Sequence, residues 1–148
     1  MSTNQERTFR TSRTFRWSPV SVYAAFARPE LLAAWWGPDG FTNTFEVCDF
    51  QVGGRWKFVM HGPDGRNYLN ENLFLALDPG RQVVIRHDGL PYFTLTVELA
   101  AVADGTLLTW EQVFDDPATA QAVRHIVVPA NEQNLDRLAA VLAQANAG

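Results

Sequence analysis

Apolar and polar positions divide the chain into stretches with different periods. Residues 7–16 contain "RTFR" twice, and the even offset gives both copies the same faces in an extended chain. This predicts a first strand rich in Thr and Phe, with arginines on its wet side. "WSPVSVYAAF" then opens a helix. Ser18 is a good N-cap, Pro19 suits the first helical position, and Trp17 can pack on Val22 across the cap. Pro29 separates this helix from a second short one, over about residues 29–35. From Thr42 to Phe114 the period shortens to two. "RWKFVMH" puts Trp56, Phe58 and Met60 on one face, and "YFTLTVEL" does the same for Phe93, Leu95, Val97 and Leu99. Short turns at "GPDG" 62–65, "DPG" 78–80 and Asp104-Gly105 make the neighbours antiparallel. The last stretch is helical again. Asp116 caps it, Pro117 follows, and Val123, Ile126, Val127, Ala130, Asn134, Leu138 and Val141 form one mostly apolar stripe. Pro129 lies inside that stripe, where a kink is expected.

The resulting order is one strand, two short helices, about six antiparallel strands and one long helix. This is an α+β domain spanning residues 1–148, without a boundary or tandem repeat. A helix is about 10 Å across, while strands lie about 4.8 Å apart. A sheet of six to seven strands is therefore much wider than its cover. A sheet that curls around the helix leaves a cavity between the two.

Composition narrows the classes of function. Of 148 residues, 47% are hydrophobic and 19% charged, which fits a globular protein with a real core. A net charge of −4 argues against a nucleic-acid or anionic-membrane partner. The single cysteine, Cys48, excludes an internal disulfide and a cysteine-rich metal site, and suits a reducing cytoplasm. Cys48 reads as a small buried hydrophobe rather than a nucleophile. The three histidines, His61, His87 and His125, show no ligand spacing, so no metal is expected, and no motif calls for a cofactor. The first residues lack the apolar run of a signal peptide, and no stretch approaches the length of a membrane span.

Candidate chemistry gathers around aromatic residues. "AAWWGPDGFT" at 33–42 sets Trp35 beside Trp36 and a tight turn. Consecutive side chains diverge, so one ring is expected to close the core and the other to wall the cavity, with the first "GPDG" holding a lid. The second copy turns a hairpin; neither resembles a phosphate loop. Trp56, Phe58, Met60, Phe93, Leu95 and Trp110 are candidates for core or cavity lining, and together favour a flat or greasy ligand. Glu71 shares parity with Leu73, Leu75 and Leu77, and His87 with Val83 and Ile85. Both are therefore expected on the inner face. There they would form either a structural pair or an acid–base pair. Asn131 and Asn134 could donate to a ligand from the helix, or tie the helix down.

These residues also carry a resemblance. "WWGPDGFT" at 35–42, "GGRWKFVMHGPDG" at 53–65, "NENLF" at 70–74 and "NEQNLDRL" at 131–138 resemble the START-like (SRPBCC) superfamily, in the branch named after the heat-shock ATPase activator homologues. The resemblance implies a helix-grip fold, a curved antiparallel sheet around a long C-terminal helix with an apolar cavity between them. It implies binding of a small hydrophobic or aromatic molecule. The alternatives are a cyclase-, aromatase- or hydratase-like enzyme using Glu71 and His87, and a chaperone-interaction module. A homodimer is compatible with each.

Overall fold

The computed structural model describes residues 3–146. A five-residue helix α1 (Thr3–Arg7), with no counterpart in the sequence pattern, leads into β1 (Thr8–Phe15). Then follow α2 (Pro19–Ala27), α3 (Pro29–Trp35), six strands and α4 (Pro117–Ala145). The strands are β2 (Thr42–Cys48), β3 (Arg55–His61), β4 (Asn67–Asp78), β5 (Gln82–His87), β6 (Phe93–Val102) and β7 (Gly105–Phe114). They form one open antiparallel sheet of seven strands in the order β1-β7-β6-β5-β4-β3-β2. Each of β2 to β7 pairs with its neighbour in sequence, and β1 closes onto β7.

The capping chemistry works as the sequence predicts. The Ser18 hydroxyl accepts from Ser21 N–H at 3.3 Å, and the Asp116 carboxylate accepts from Thr119 N–H at 3.0 Å. Prolines at the first positions of α2, α3 and α4 cost nothing, because those N–H groups have no helical partner. α4 runs 29 residues and continues through Pro129, whose missing N–H leaves the His125 carbonyl without its helical donor. The β6–β7 hairpin pairs Val102 with Gly105, so Ala103 and Asp104 form its tip, one residue earlier than the Asp-Gly signal suggests.

One face of the sheet is dry. Trp56, Phe58, Phe74, Val83, Ile85, Leu95, Val97, Leu108 and Trp110 are buried on it, under α2, α3 and the last third of α4. Alternation holds along β3, β5, β6 and β7 but fails in β4. A bulge between Phe74 and Ala76 shifts the register there and exposes Leu75. One extra residue reverses which positions face inward. Asn72 and Phe74 point in before the bulge, and Leu77, paired with the buried Val83, packs on the core after it.

α4 meets the sheet unevenly. At its start Ala120 is buried against Phe9 and Phe114. Towards its end Leu138, expected in the apolar stripe, is buried in the main core, together with Leu135 and Leu142, which lie one position beyond the expected Asn134 and Val141. Between these anchors α4 is largely open, with Ile126 59% exposed.

Candidate functional site: the cavity beneath the long helix

The tryptophan pair works because the backbone changes conformation between the two residues. Trp35 is the last helical residue of α3. Trp36, its C-cap, is extended at φ −66° and ψ 133°, while its N–H still bonds Leu32 O at 3.1 Å. The switch lets both rings enter the interior. Trp35 is fully buried, sits edge-on to Phe26 at 4.9 Å, and donates its indole N–H to Ala25 O at 2.9 Å. Trp36 turns towards Trp56 and Trp110, at 4.8 and 6.0 Å, and borders the cavity. Of the two, Trp35 closes the core and Trp36 forms wall.

The loop that follows is fixed by α4. Arg137 donates to Trp36 O, Gly37 O and Pro38 O at 3.2, 2.8 and 2.9 Å through one nitrogen. Its other nitrogen donates to Ala34 O at 3.2 Å and Phe41 O at 2.8 Å. These carbonyls lie in and beyond the last turn of α3, where helical donors run out. Asn134 donates to Trp35 O at 2.8 Å and accepts from Gly37 N–H at 3.3 Å. Gln133 accepts from Asp39 N–H at 3.1 Å. The two "GPDG" turns pack against each other. Gly40 has φ +85°, and a Cβ there would lie 3.2 Å from the Pro63 ring. "NEQNLDRL" is thus largely a clamp for "WWGPDGF".

Between this clamp and the start of α4 lies a pocket of about 220 Å³ that is partly open to solvent, not the enclosed cavity expected. The sheet contributes Met60, Ile85, Phe93, Leu95 and Trp110, α4 contributes Ile126, Val127 and Ala130, and Trp36 and Pro38 close one end. The polar lining consists of Asn70, Asn72, His87, Gln112, Asn131 and Asn134. Among the described residues no Asp, Glu, Lys or Arg borders it.

Four of the polar residues are arranged in two pairs. Asn131 donates to Gln112 Oε1 at 3.0 Å, linking α4 to β7 across the cavity. His87 Nδ1 lies 2.9 Å from Asn72 Oδ1, and the Phe93 ring stacks on the imidazole at 4.7 Å. A carboxamide oxygen only accepts, so Nδ1 carries the proton and Nε2 keeps its lone pair. Burial, with help from the neighbouring Arg86 charge, pushes the His87 pKa down, and Asp88 opposes this only in part. The ring is thereby held neutral. Trp110 is 2% exposed, and its indole N–H has no acceptor among the described residues.

Several expected site residues are placed elsewhere. Glu71 is on the outer face, ion-paired with Arg55 at 3.1 Å and Lys57 at 3.6 Å, and does not meet His87. The β4 bulge is the cause: the even spacing from Glu71 to Leu77 crosses it, so the two residues face opposite ways. Trp56 and Phe58 stack on each other at 4.6 Å in the core and do not reach the cavity, and neither does Trp35. Met60, Phe93, Leu95, Trp110, His87, Asn131 and Asn134 do border it, although the Asn134 amide is engaged by the loop. Asn72 and Gln112 were missed. Gln112 was legible, since it alternates with Leu108, Trp110 and Phe114. Asn72 was hidden by the same parity error that placed Glu71 inside. Cys48 is half-buried, and burial raises its thiol pKa to about 11, which leaves it protonated and unreactive near neutral pH.

Among the described residues no three His, Cys, Asp or Glu gather in a way that could hold a metal ion, and no helix is long and apolar enough to cross a membrane.

Comparison with known proteins gives a consistent picture. The family profile described as "Activator of Hsp90 ATPase homolog 1-like protein" matches residues 16–143. A crystal structure from Nitrosomonas europaea is similar at a TM-score of 0.87 and 19% identity, covering 99% of this chain and 100% of that one. A solution structure from Arthrobacter aurescens gives 0.88 and 22%, with coverage of 97% and 90%. A crystal structure from Chromobacterium violaceum gives 0.80 and 27%, with coverage of 92% and 97%. A search of curated proteins found no match.

Proposed function

The chain belongs to the family of Activator of Hsp90 ATPase homolog 1-like proteins, with a helix-grip fold, and from that premise we propose that it binds a small, uncharged, mostly apolar molecule beneath α4. The observation that supports this reading is the lining. It joins apolar and aromatic side chains to a few amides and one neutral imidazole, without a charged group among the described residues. Binding sites are built this way: apolar walls supply affinity, and a few polar groups fix orientation. An ionic ligand would lose its hydration there without a counter-charge. The volume of about 220 Å³ is below the roughly 300–1,000 Å³ of sites for drug-sized ligands. An engineered apolar cavity of about 150 Å³ holds benzene, so one substituted ring is a reasonable occupant.

The test is a titration of the intact protein with toluene, phenol and indole, following tryptophan emission. Trp36 and Trp110 both border the cavity, so an occupant there changes their surroundings. A saturable change is expected. A flat response to all three probes in folded protein would overturn the reading. After a saturable change, native mass spectrometry of protein from its own host identifies the natural occupant.

The family description names a chaperone ATPase activator, and that reading makes a different prediction. It requires an effect on chaperone ATP turnover that persists when the cavity is filled. An enzyme that uses Glu71 and His87 together is not proposed, because the two stand on opposite faces of the sheet.

A further inference from the structure

The cavity contains two polar groups that the fold leaves unused. His87 is tied through Nδ1 to Asn72, which leaves the Nε2 lone pair as the remaining hydrogen-bonding position of the ring. The Trp110 N–H is a buried donor without an acceptor among the described residues. Buried polar groups in native proteins nearly always have partners, and those that lack one need an explanation. Both residues border the same cavity; of its other polar residues, Asn131 bonds Gln112, Asn134 bonds the tryptophan loop and Asn70 donates to Tyr68 O.

We infer that the ligand is a phenol-class molecule, an uncharged aromatic ring whose hydroxyl donates to His87 Nε2. The inference rests on the cavity being a ligand site. An acceptor is the chemistry a hydroxyl hydrogen seeks. A neutral imidazole supplies a strong one, whereas an imidazolium would offer only donors. Burial beside Arg86 keeps His87 in the accepting form. Asn72 is the positioning residue. Its oxygen selects the Nδ1–H tautomer and so assigns the lone pair to Nε2, while Phe93 stacked on the ring holds its plane. The ligand is thus read by donor–acceptor pattern as well as by shape. Sites built to hydrogen-bond a hydroxyl discriminate strongly against analogues that lack it.

The test compares phenol, toluene and benzoate by calorimetry on the intact protein and on His87→Phe. Phenylalanine keeps an aromatic ring against Phe93 and removes the nitrogen. Wild-type protein is expected to bind phenol at least tenfold more tightly than toluene or benzoate. In His87→Phe the advantage over toluene is expected to vanish while toluene binding persists. Toluene equal to phenol in wild type, benzoate equal to phenol, or an undiminished phenol advantage in His87→Phe would each overturn the inference while leaving a binding cavity intact. No binding by any probe would overturn the cavity reading and this inference with it. A measurement on wild type covers the case in which His87→Phe does not fold. Nitrogen-15 spectra of the His87 ring are expected to show the Nδ1–H tautomer, with phenol shifting Nε2 alone. A Nε2 signal unmoved with phenol bound would overturn the assignment.

Discussion

The two ends of α4 lie in one helix but do different things. From Asn134 to Leu142 it is fastened: Leu135, Leu138 and Leu142 are buried, and Asn134 and Arg137 hold seven backbone contacts of the tryptophan loop between them. From Val123 to Asn131 it is held more loosely: Val123 and Val127 pack, only partly buried, on the cluster of Phe9 and Phe114, Asn131 bonds Gln112, and Ile126 is exposed. The fastened part organises the fold. The looser part stands over the space that the wide sheet leaves uncovered. A helix that packed equally well throughout would leave no site.

The contrast can be broken most severely in the core. Leu138→Ala is expected to cost about 2–5 kcal/mol by opening a void in packed surroundings. Ile126→Ala, on the looser part, is expected to change stability by no more than about 0.5 kcal/mol while altering probe binding. Urea denaturation measures both. Equal costs would mean that the two halves are packed alike.

Next comes the clamp. Arg137→Met keeps an unbranched apolar stem and removes five donated hydrogen bonds to carbonyls. A loss of about 2–3 kcal/mol is expected, since hydrogen bonds to a charged group are worth more than neutral ones. Trp36 should also lose its fixed position, visible as a red shift and broadening of emission. Unchanged stability and emission would show that the loop holds itself.

A smaller effect should appear with pH, and only in the cavity half. The His87 pKa is lowered in the folded protein, chiefly by burial and secondarily by Arg86. Between that lowered value and the ordinary value of about 6.5, the unfolded chain binds the proton better. Stability therefore rises with pH through this window, is level above it, and falls as acid is added. His87→Phe should flatten this dependence in thermal melts from about pH 5 to about pH 8, a range that spans the ordinary histidine pKa. The amide and guanidinium contacts of the clamp do not titrate there. An identical acid slope in the variant would assign the dependence to other groups.

The smallest effect is expected on the outer face. Glu71→Gln breaks two ion pairs that stand largely in solvent, a type worth roughly 0–1 kcal/mol. Probe binding should be unchanged. A large loss of binding would return Glu71 to the site.

Residue pattern and turn chemistry determined most of the architecture. Capping residues at Ser18 and Asp116, prolines at 19, 29 and 117, the alternation of β3, β5, β6 and β7, and the turns between them are local signals, and local interactions enforce them. His87 and Gln112 were readable as inward-facing for the same reason. Tertiary structure decided what local rules leave open. Parity is reliable only within an unbroken ladder, and a single bulge in β4 moved Glu71 outside and Asn72 inside. Trp35 and Trp36 were distinguished by one change of backbone conformation at the end of α3. The clamp joins residues about a hundred positions apart, such as Arg137 and Gly37, and no short-range pattern encodes that partner choice. The cavity is least local of all. It is the space left when a helix fastened at its ends crosses a sheet too wide for it to fill, so its walls exist only once every element is in place.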